Sequence, residues 1–241
     1  MKLKKLERMT KEELLVFFLM AISSGIVIGV GGVSSLIANA LLGDWGRLIG
    51  AVLFSLGIYA IVVYEMRLFT GMVADIPTLG LKNTWQLAVC FLGNVIGVAI
   101  IAVVANFSFA ADIVVKQGGA TILNKLNVDD WAIRAFCSSV LCGVLITISV
   151  KSVKFAPRKG VSSSVGVMFP IVVFAFCGFD HSVANMLYFF YLGECSWRVV
   201  GYIAVSLLGN IVGGVGLPTI TLLKECAQRK RQRLEEQNAA K

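Results

Sequence analysis

The segment Gly178-Phe179-Asp180-His181-Ser182 lies near the middle of Val161–Gly193, where Asp180 is the only charged residue, and His181 is the only histidine of the chain. An ionised group at that depth in a bilayer costs about 3 kcal/mol even on the mild insertion scales. Glycine and polar residues beside the acid predict that the helix breaks there. Irregular backbone at membrane depth persists only where protein buries it or where it lines a watery cavity. A satisfied core histidine is the competing reading. An acid and an imidazole together at a break favour a polar centre on a transport pathway.

Away from this segment the chain is strongly apolar. Its mean hydropathy is +0.83, and 15% of its residues are charged, against about 25% in soluble domains. Uncharged runs cover Leu14–Leu42, Leu48–Tyr64, Thr84–Ala111, Ala135–Val150, Val161–Phe179 and Val199–Leu223. A span needs about 20 apolar residues, and the shorter runs extend into polar flanks. The expectation is an all-α membrane protein with six transmembrane helices. Residues 1–241 form a single transport domain, with a short basic segment 1–13 and a basic tail 224–241. The first run is too long for the apolar core of a signal peptide and lacks a small-residue cleavage site, so it is read as a span.

Basic residues order the spans. Placing both termini in the cytoplasm collects Lys2, Lys4, Lys5, Arg8, Lys11, Lys82, Lys151, Lys154, Arg158, Lys159 and the tail cations on one side. Arg47, Lys116, Lys125, Arg134 and Arg198 fall on the other. The positive-inside rule therefore predicts a multi-pass protein with both termini in the cytoplasm; a prokaryotic inner membrane is its expected location. The net charge of +8 is mostly this topology signal. Nucleic acid is not an expected partner, because the basic tail has no aromatic or folded context. The six cysteines show no metal or disulfide spacing, and Cys137 and Cys142 fall on different faces of a helix. No cofactor and no metal are expected.

The chain echoes itself. Gly93-Asn94-Val95-Ile96-Gly97 recurs as Gly209-Asn210-Ile211-Val212-Gly213, 116 residues later. The second span is interrupted at Leu68-Phe69-Thr70-Gly71, before Asp75-Ile76-Pro77, and the fifth at Gly178-Phe179-Asp180-His181, an offset of about 111. Three spans per half reverse the second copy, so an inverted 3+3 repeat is expected. Interrupted hydrophobic segments at matching places in two halves point to a midplane transport site. The glycines of the first and last spans serve close helix packing.

Leu68-Phe69-Thr70-Gly71 and Gly178-Phe179-Asp180-His181-Ser182-Val183-Ala184-Asn185-Met186 resemble the two signatures of the formate/nitrite transporter family, and the resemblance spans about Leu14 to Leu223. It implies an aquaporin-like fold with helices 2 and 5 broken, assembled as a homopentamer with one pore per protomer. Carried over, Thr70 is the polar residue facing the central His181, and Asn185 follows in the same signature. Leu68 and Phe69 belong to the cytoplasmic constriction. Phe54 and Phe174, which read as core on sequence alone, match the outer constriction. Asn94 and Asn210 match asparagines that steady the broken helices. Lys125 is the candidate pore lysine, although its distance to Ala135-Phe136 is about two residues longer than the family pattern. Met72, Asp180 and Gly143 depart from the asparagine, glutamate and Cys-Asn of the pattern.

Chemistry constrains what such a pore carries. A bare anion faces a desolvation cost of several kcal/mol, which a weak acid avoids by crossing in neutral form. The pore then needs a basic vestibule, a proton source and dry constrictions. Lys125 is expected to attract the anion. His181, with an unperturbed pKa of about 6.5, is expected to exchange a proton or donate a hydrogen bond. Thr70 supplies a rotatable hydroxyl, and Asp180 is expected to cap or orient the break. The family resemblance makes formate the leading substrate, with nitrite or hydrosulfide as alternatives and a neutral-solute aquaporin-like channel further behind. An enzyme is not expected, because one histidine and one nearby acid supply no nucleophile or metal set.

Overall fold

The computed structural model describes residues 9–79, 83–155, 162–193 and 196–239, all helices and short connections among the described residues. Lys2, Lys4, Lys5, Arg8, Lys82, Arg158, Lys159, Cys195 and Lys241 lie outside them. Thr10 opens α1 (Lys11–Leu41) with a capping box: its hydroxyl accepts from the Glu13 N–H at 3.2 Å, and the Glu13 carboxylate accepts from the Thr10 N–H at 2.9 Å. Two of the helix's orphan donors are satisfied this way. A 3-10 turn, Gly43–Trp45, leads into α2 (Gly46–Val63). Three short pieces follow without a gap in sequence: α3 (Phe69–Met72), a 3-10 turn (Val73–Asp75) and α4 (Ile76–Leu79). Then come α5 (Trp85–Asn106), α6 (Ala111–Leu126), α7 (Trp131–Phe155), α8 (Ser163–Cys177), α9 (Ser182–Leu192) and α10 (Trp197–Ala239).

Five helical segments are long and apolar enough to cross a membrane, and α8 with α9 makes a sixth span bent by 45°. Each coincides with one of the six apolar runs. The break in the second span lies earlier than Leu68–Gly71: α2 ends at Val63, Glu65 adopts a positive φ of 52°, and Leu68 is extended. Leu-Phe-Thr-Gly thus opens the second half-helix instead of interrupting the first. At the other break Gly178 takes φ 74° at the end of α8, a left-handed conformation that glycine adopts without the Cβ penalty.

Two further elements escape the hydropathy runs. Helix α6 buries Val114, Gly118, Ile122 and Leu126, one apolar stripe at helical spacing, while its other faces mix polar residues such as Lys116 and Asn124 with exposed Val115 and Leu123. It packs on α9 and α1. The basic tail continues α10 as an exposed helix well past Leu223, with Arg231 and Glu235 paired at 2.8 Å one turn apart.

The same construction holds α1 to α5 and α7 to α10. A Cβ on Gly25 would strike the Asn94 carbonyl oxygen, and one on Gly143 the Asn210 carbonyl oxygen. A Cβ on Gly97 would strike the Ile22 carbonyl oxygen, and one on Gly213 that of Val140. Backbones this close need glycine on the facing side, the usual device for apolar helices that lack a hydrophobic drive to associate. Leu19, Leu92, Ile96, Val103, Leu208 and Val212 remain exposed on the outside, as expected where the surroundings are as apolar as the core.

Candidate functional site

Two buried asparagines hold the two breaks with one hydrogen-bonding scheme. Asn94 Oδ1 accepts from the Phe69 N–H at 2.8 Å, while its Nδ2 donates to the carbonyls of Arg67 and Ala21, both at 2.8 Å. Asn210 Oδ1 accepts from the Ser182 N–H at 2.9 Å, while its Nδ2 donates to the carbonyls of Asp180 at 2.9 Å and Ser139 at 2.8 Å. In each half, one amide satisfies an N–H that opens a half-helix, a carbonyl two residues before it, and a carbonyl of the first helix of that half. Buried backbone groups left unpaired cost about 1–3 kcal/mol each. This matching explains why irregular backbone persists at this depth.

The breaks meet at His181 and Thr70. His181 is the N-cap of α9, and its Nδ1 accepts from the Ala184 N–H at 3.0 Å. Its Nε2 lies 2.8 Å from Thr70 Oγ1. With Nδ1 accepting, the neutral ring carries its proton on Nε2 and donates it to the threonine oxygen. The threonine's own hydrogen is then left for a further acceptor. Both residues are buried. The Phe174 ring stacks against the imidazole at 5.8 Å between centroids, and Phe54 meets Phe174 edge-on at 5.6 Å. On the other side Leu68 and Phe69 are buried, with Phe69 edge-on to Phe91 at 5.4 Å.

Above the aromatic pair opens a cavity of about 540 Å³, whose floor is Phe54, Phe174 and His181. Its walls mix apolar residues such as Leu36 and Ala175 with polar ones: Asn39, Arg47, Gln117, Asn124, Lys125 and Asn185 all line it. Ser35 and Asn39 lie toward the end of α1, whereas Arg67 sits over Phe17 near the start of α1. The cavity therefore opens at the end of the molecule opposite the start of α1.

Lys125, in the last turn of α6, reaches the second break. Its Nζ donates to Asp180 Oδ1 at 2.6 Å and to the Gly178 carbonyl at 3.3 Å. The same Oδ1 accepts from Asn185 Nδ2 at 2.8 Å and from the Tyr202 hydroxyl at 2.7 Å. Asp180 thus organises side chains; the N–H groups that open α9 are taken by His181 and Asn210. Sequence reading placed Tyr202 inside an apolar run, where a single tyrosine gives no signal. Ser138, which accepts from the Asp180 N–H at 3.0 Å, gives none either. Arg47 carries only a topological meaning in the sequence, yet it lines the cavity with its guanidinium over Phe176 at 5.6 Å. Cys142 is buried and Cys137 exposed, on different faces of α7.

Broken half-helices joined at a buried polar centre, beside a cavity that reaches His181, define a multi-pass membrane transport protein. The chain belongs to the formate/nitrite transporter family: a family model described as formate/nitrite transporter matches residues 3–223. The formate channel FocA of Haemophilus influenzae is 31% identical over 156 residues, 59% of this chain and 53% of that protein. FocA of Escherichia coli K12 is 28% identical over 189 residues, 73% of this chain and 66% of that protein. The chain thus matches about half to two thirds of the length of these relatives. A solved pentameric formate channel with formate bound superposes with a TM-score of 0.69 at 22% identity, covering 86% of this chain and 94% of that one. A solved ion channel of the same family gives 0.70 at 22% identity, covering 88% and 90%. These likenesses show a shared fold, and the family's members among them are channels and transporters.

Proposed function

We propose that the chain is a channel for the small monovalent anions of weak acids, formate foremost, moved together with a proton. The observation that carries this reading is the His181–Thr70 hydrogen bond, 2.8 Å long, with His181 lining the cavity. The Nε2–H of the capped histidine orients Thr70, and the threonine hydrogen is offered to the anion as it leaves water. The dry rings of Phe54 and Phe174 on one side and Leu68 and Phe69 on the other oppose a bare charge, since desolvating an ion costs several kcal/mol. A proton taken from water with the anion removes that cost. Asn185 and Lys125 line the approach, and Asn94, Asn210 and Asp180 hold the breaks in place. The relatives named as formate channels support formate as the leading substrate. Nitrite and hydrosulfide are the alternatives within the same chemistry.

Liposomes holding the purified protein test this directly. Formate, nitrite, hydrosulfide, acetate and lactate uptake is measured across outside pH, with glycerol and water permeation alongside. Anion uptake that quickens as the outside becomes more acidic is expected, because the proton is then a co-substrate. Glycerol or water permeation with no anion uptake above protein-free liposomes would replace this reading with the neutral-solute one.

Assembly and orientation follow the same reading: a homopentamer in the inner membrane, each protomer with its own pore, both termini in the cytoplasm. Native mass spectrometry is expected to give five chains, and reporter fusions after Gly43 and Gly118 to report outside while a C-terminal fusion reports inside. Stable monomers with full transport would sink the pentamer, and an external C-terminus the orientation.

A further inference from the structure

Two cations line the cavity, Arg47 and Lys125, and they are not equivalent. The Lys125 ammonium lies 2.6 Å from Asp180 Oδ1, and that carboxylate is buried. Seen from the cavity, the pair is close to neutral and adds little long-range attraction. Arg47 has no ion pair and no hydrogen bond among the described residues; its one partner is the Phe176 ring. A cation over an aromatic face keeps its full charge and its outward N–H donors. One guanidinium nitrogen sits 3.2 Å from where a Cβ on Gly178 would lie. Glycine at 178 thus serves the left-handed turn and leaves the arginine room beside the break. The guanidinium stands on the cavity wall, on the water side of the Phe54–Phe174 pair.

We infer that Arg47, not Lys125, is the charge that captures incoming anions in this cavity, and that its planar fork favours two-oxygen anions such as formate and nitrite over anions with a single acceptor atom such as hydrosulfide. This rests on the reading of the chain as a channel for small anions. An unpaired cation on the wall of a low-dielectric cleft raises the local anion concentration, and salt weakens that effect. Parallel N–H groups match the two oxygens of a carboxylate or nitrite, whereas hydrosulfide offers a single acceptor and gains only from the charge. Lys125 instead holds Asp180 and Gly178, and so the shape of the break.

The test compares Arg47→Gln, Arg47→Lys and the parent in liposomes, after gel filtration shows that all three assemble alike. Arg47→Gln is expected to raise the half-saturating formate concentration roughly tenfold, as for the loss of one charge-assisted partner. It should also flatten the fall of uptake with added salt. Arg47→Lys is expected to keep hydrosulfide uptake near the parent's while formate and nitrite weaken severalfold. Arg47→Gln with the parent's formate dependence and salt response would overturn the capture role. Equal formate uptake by Arg47→Lys would overturn the fork. Were the parent itself to move no anion, the channel reading would fall, and calorimetric formate binding by the parent and Arg47→Gln in detergent would still decide: equal affinities overturn the inference.

Discussion

His181→Asn is expected to slow weak-acid uptake roughly ten- to hundredfold while leaving the protein folded and assembled. The imidazole does two separable things. Its Nδ1 caps α9 through the Ala184 N–H, and its Nε2 bonds to Thr70 across the two breaks. Asparagine is among the best N-cap residues, so the first role survives. Its shorter amide ends well short of Thr70, so the second is lost. Hydrogen bonds that involve a charged partner are worth about 1.5–3 kcal/mol, which is roughly ten- to hundredfold in rate if the bond to the anion forms only as it crosses. His181→Phe loses the cap as well, at about 0.5–2 kcal/mol, and should unfold at a lower temperature than His181→Asn with equally little uptake. Thr70→Val should lose uptake in the same range, because it removes the hydroxyl that Nε2 orients. Formate and nitrite uptake by His181→Asn at the parent's rate at every pH would make the histidine a cap and nothing more.

How far the amino-acid pattern reaches into this site depends on how unlike its surroundings each residue is. An only histidine beside an acid in an apolar run is conspicuous, and so is a Gly-Asn motif that returns 116 residues later. The first signal places His181 at a break, the second marks Asn94 and Asn210 as repeated positions, and the family resemblance ties those asparagines to the breaks. Other parts are silent for a physical reason. Helix α6 buries a single stripe, so hydropathy averaged along it never rises, and Lys125 looks like part of a connecting loop. Its spacing to Ala135-Phe136 also fits the family pattern poorly, yet from α6 it reaches both Gly178 and Asp180. Tyr202 and Ser138 are single polar groups in apolar helices, and only the fold brings them to Asp180. The first break is displaced by a few residues because its signal is a motif, whereas the backbone departs at Glu65, which has no motif at all.

The second large effect is expected on stability, at Asp180. Its Oδ1 gathers Lys125, Asn185 and Tyr202 within 2.6–2.8 Å, and its side chain is only 5% exposed. Asp180→Leu strands all three donors. Removing one partner of a buried ion pair costs about 3–5 kcal/mol. Lys125 is 26% exposed along its side chain, so water tempers the loss of its charge partner and favours the lower end. The stranded Asn185 amide and Tyr202 hydroxyl are buried and add to it, at about 1–3 kcal/mol each where no water replaces the carboxylate. Asp180→Leu is therefore expected to lower the thermal midpoint sharply and to reduce the yield of assembled protein. Adding Lys125→Met removes the orphaned charge and should recover part of the midpoint but not all of it, because the other two donors stay unsatisfied. Full recovery in the double variant would mean that the ion pair alone matters. No recovery would place the whole cost in the Asn185 and Tyr202 bonds. A midpoint for Asp180→Leu equal to the parent's would show that the network contributes nothing to holding the second break.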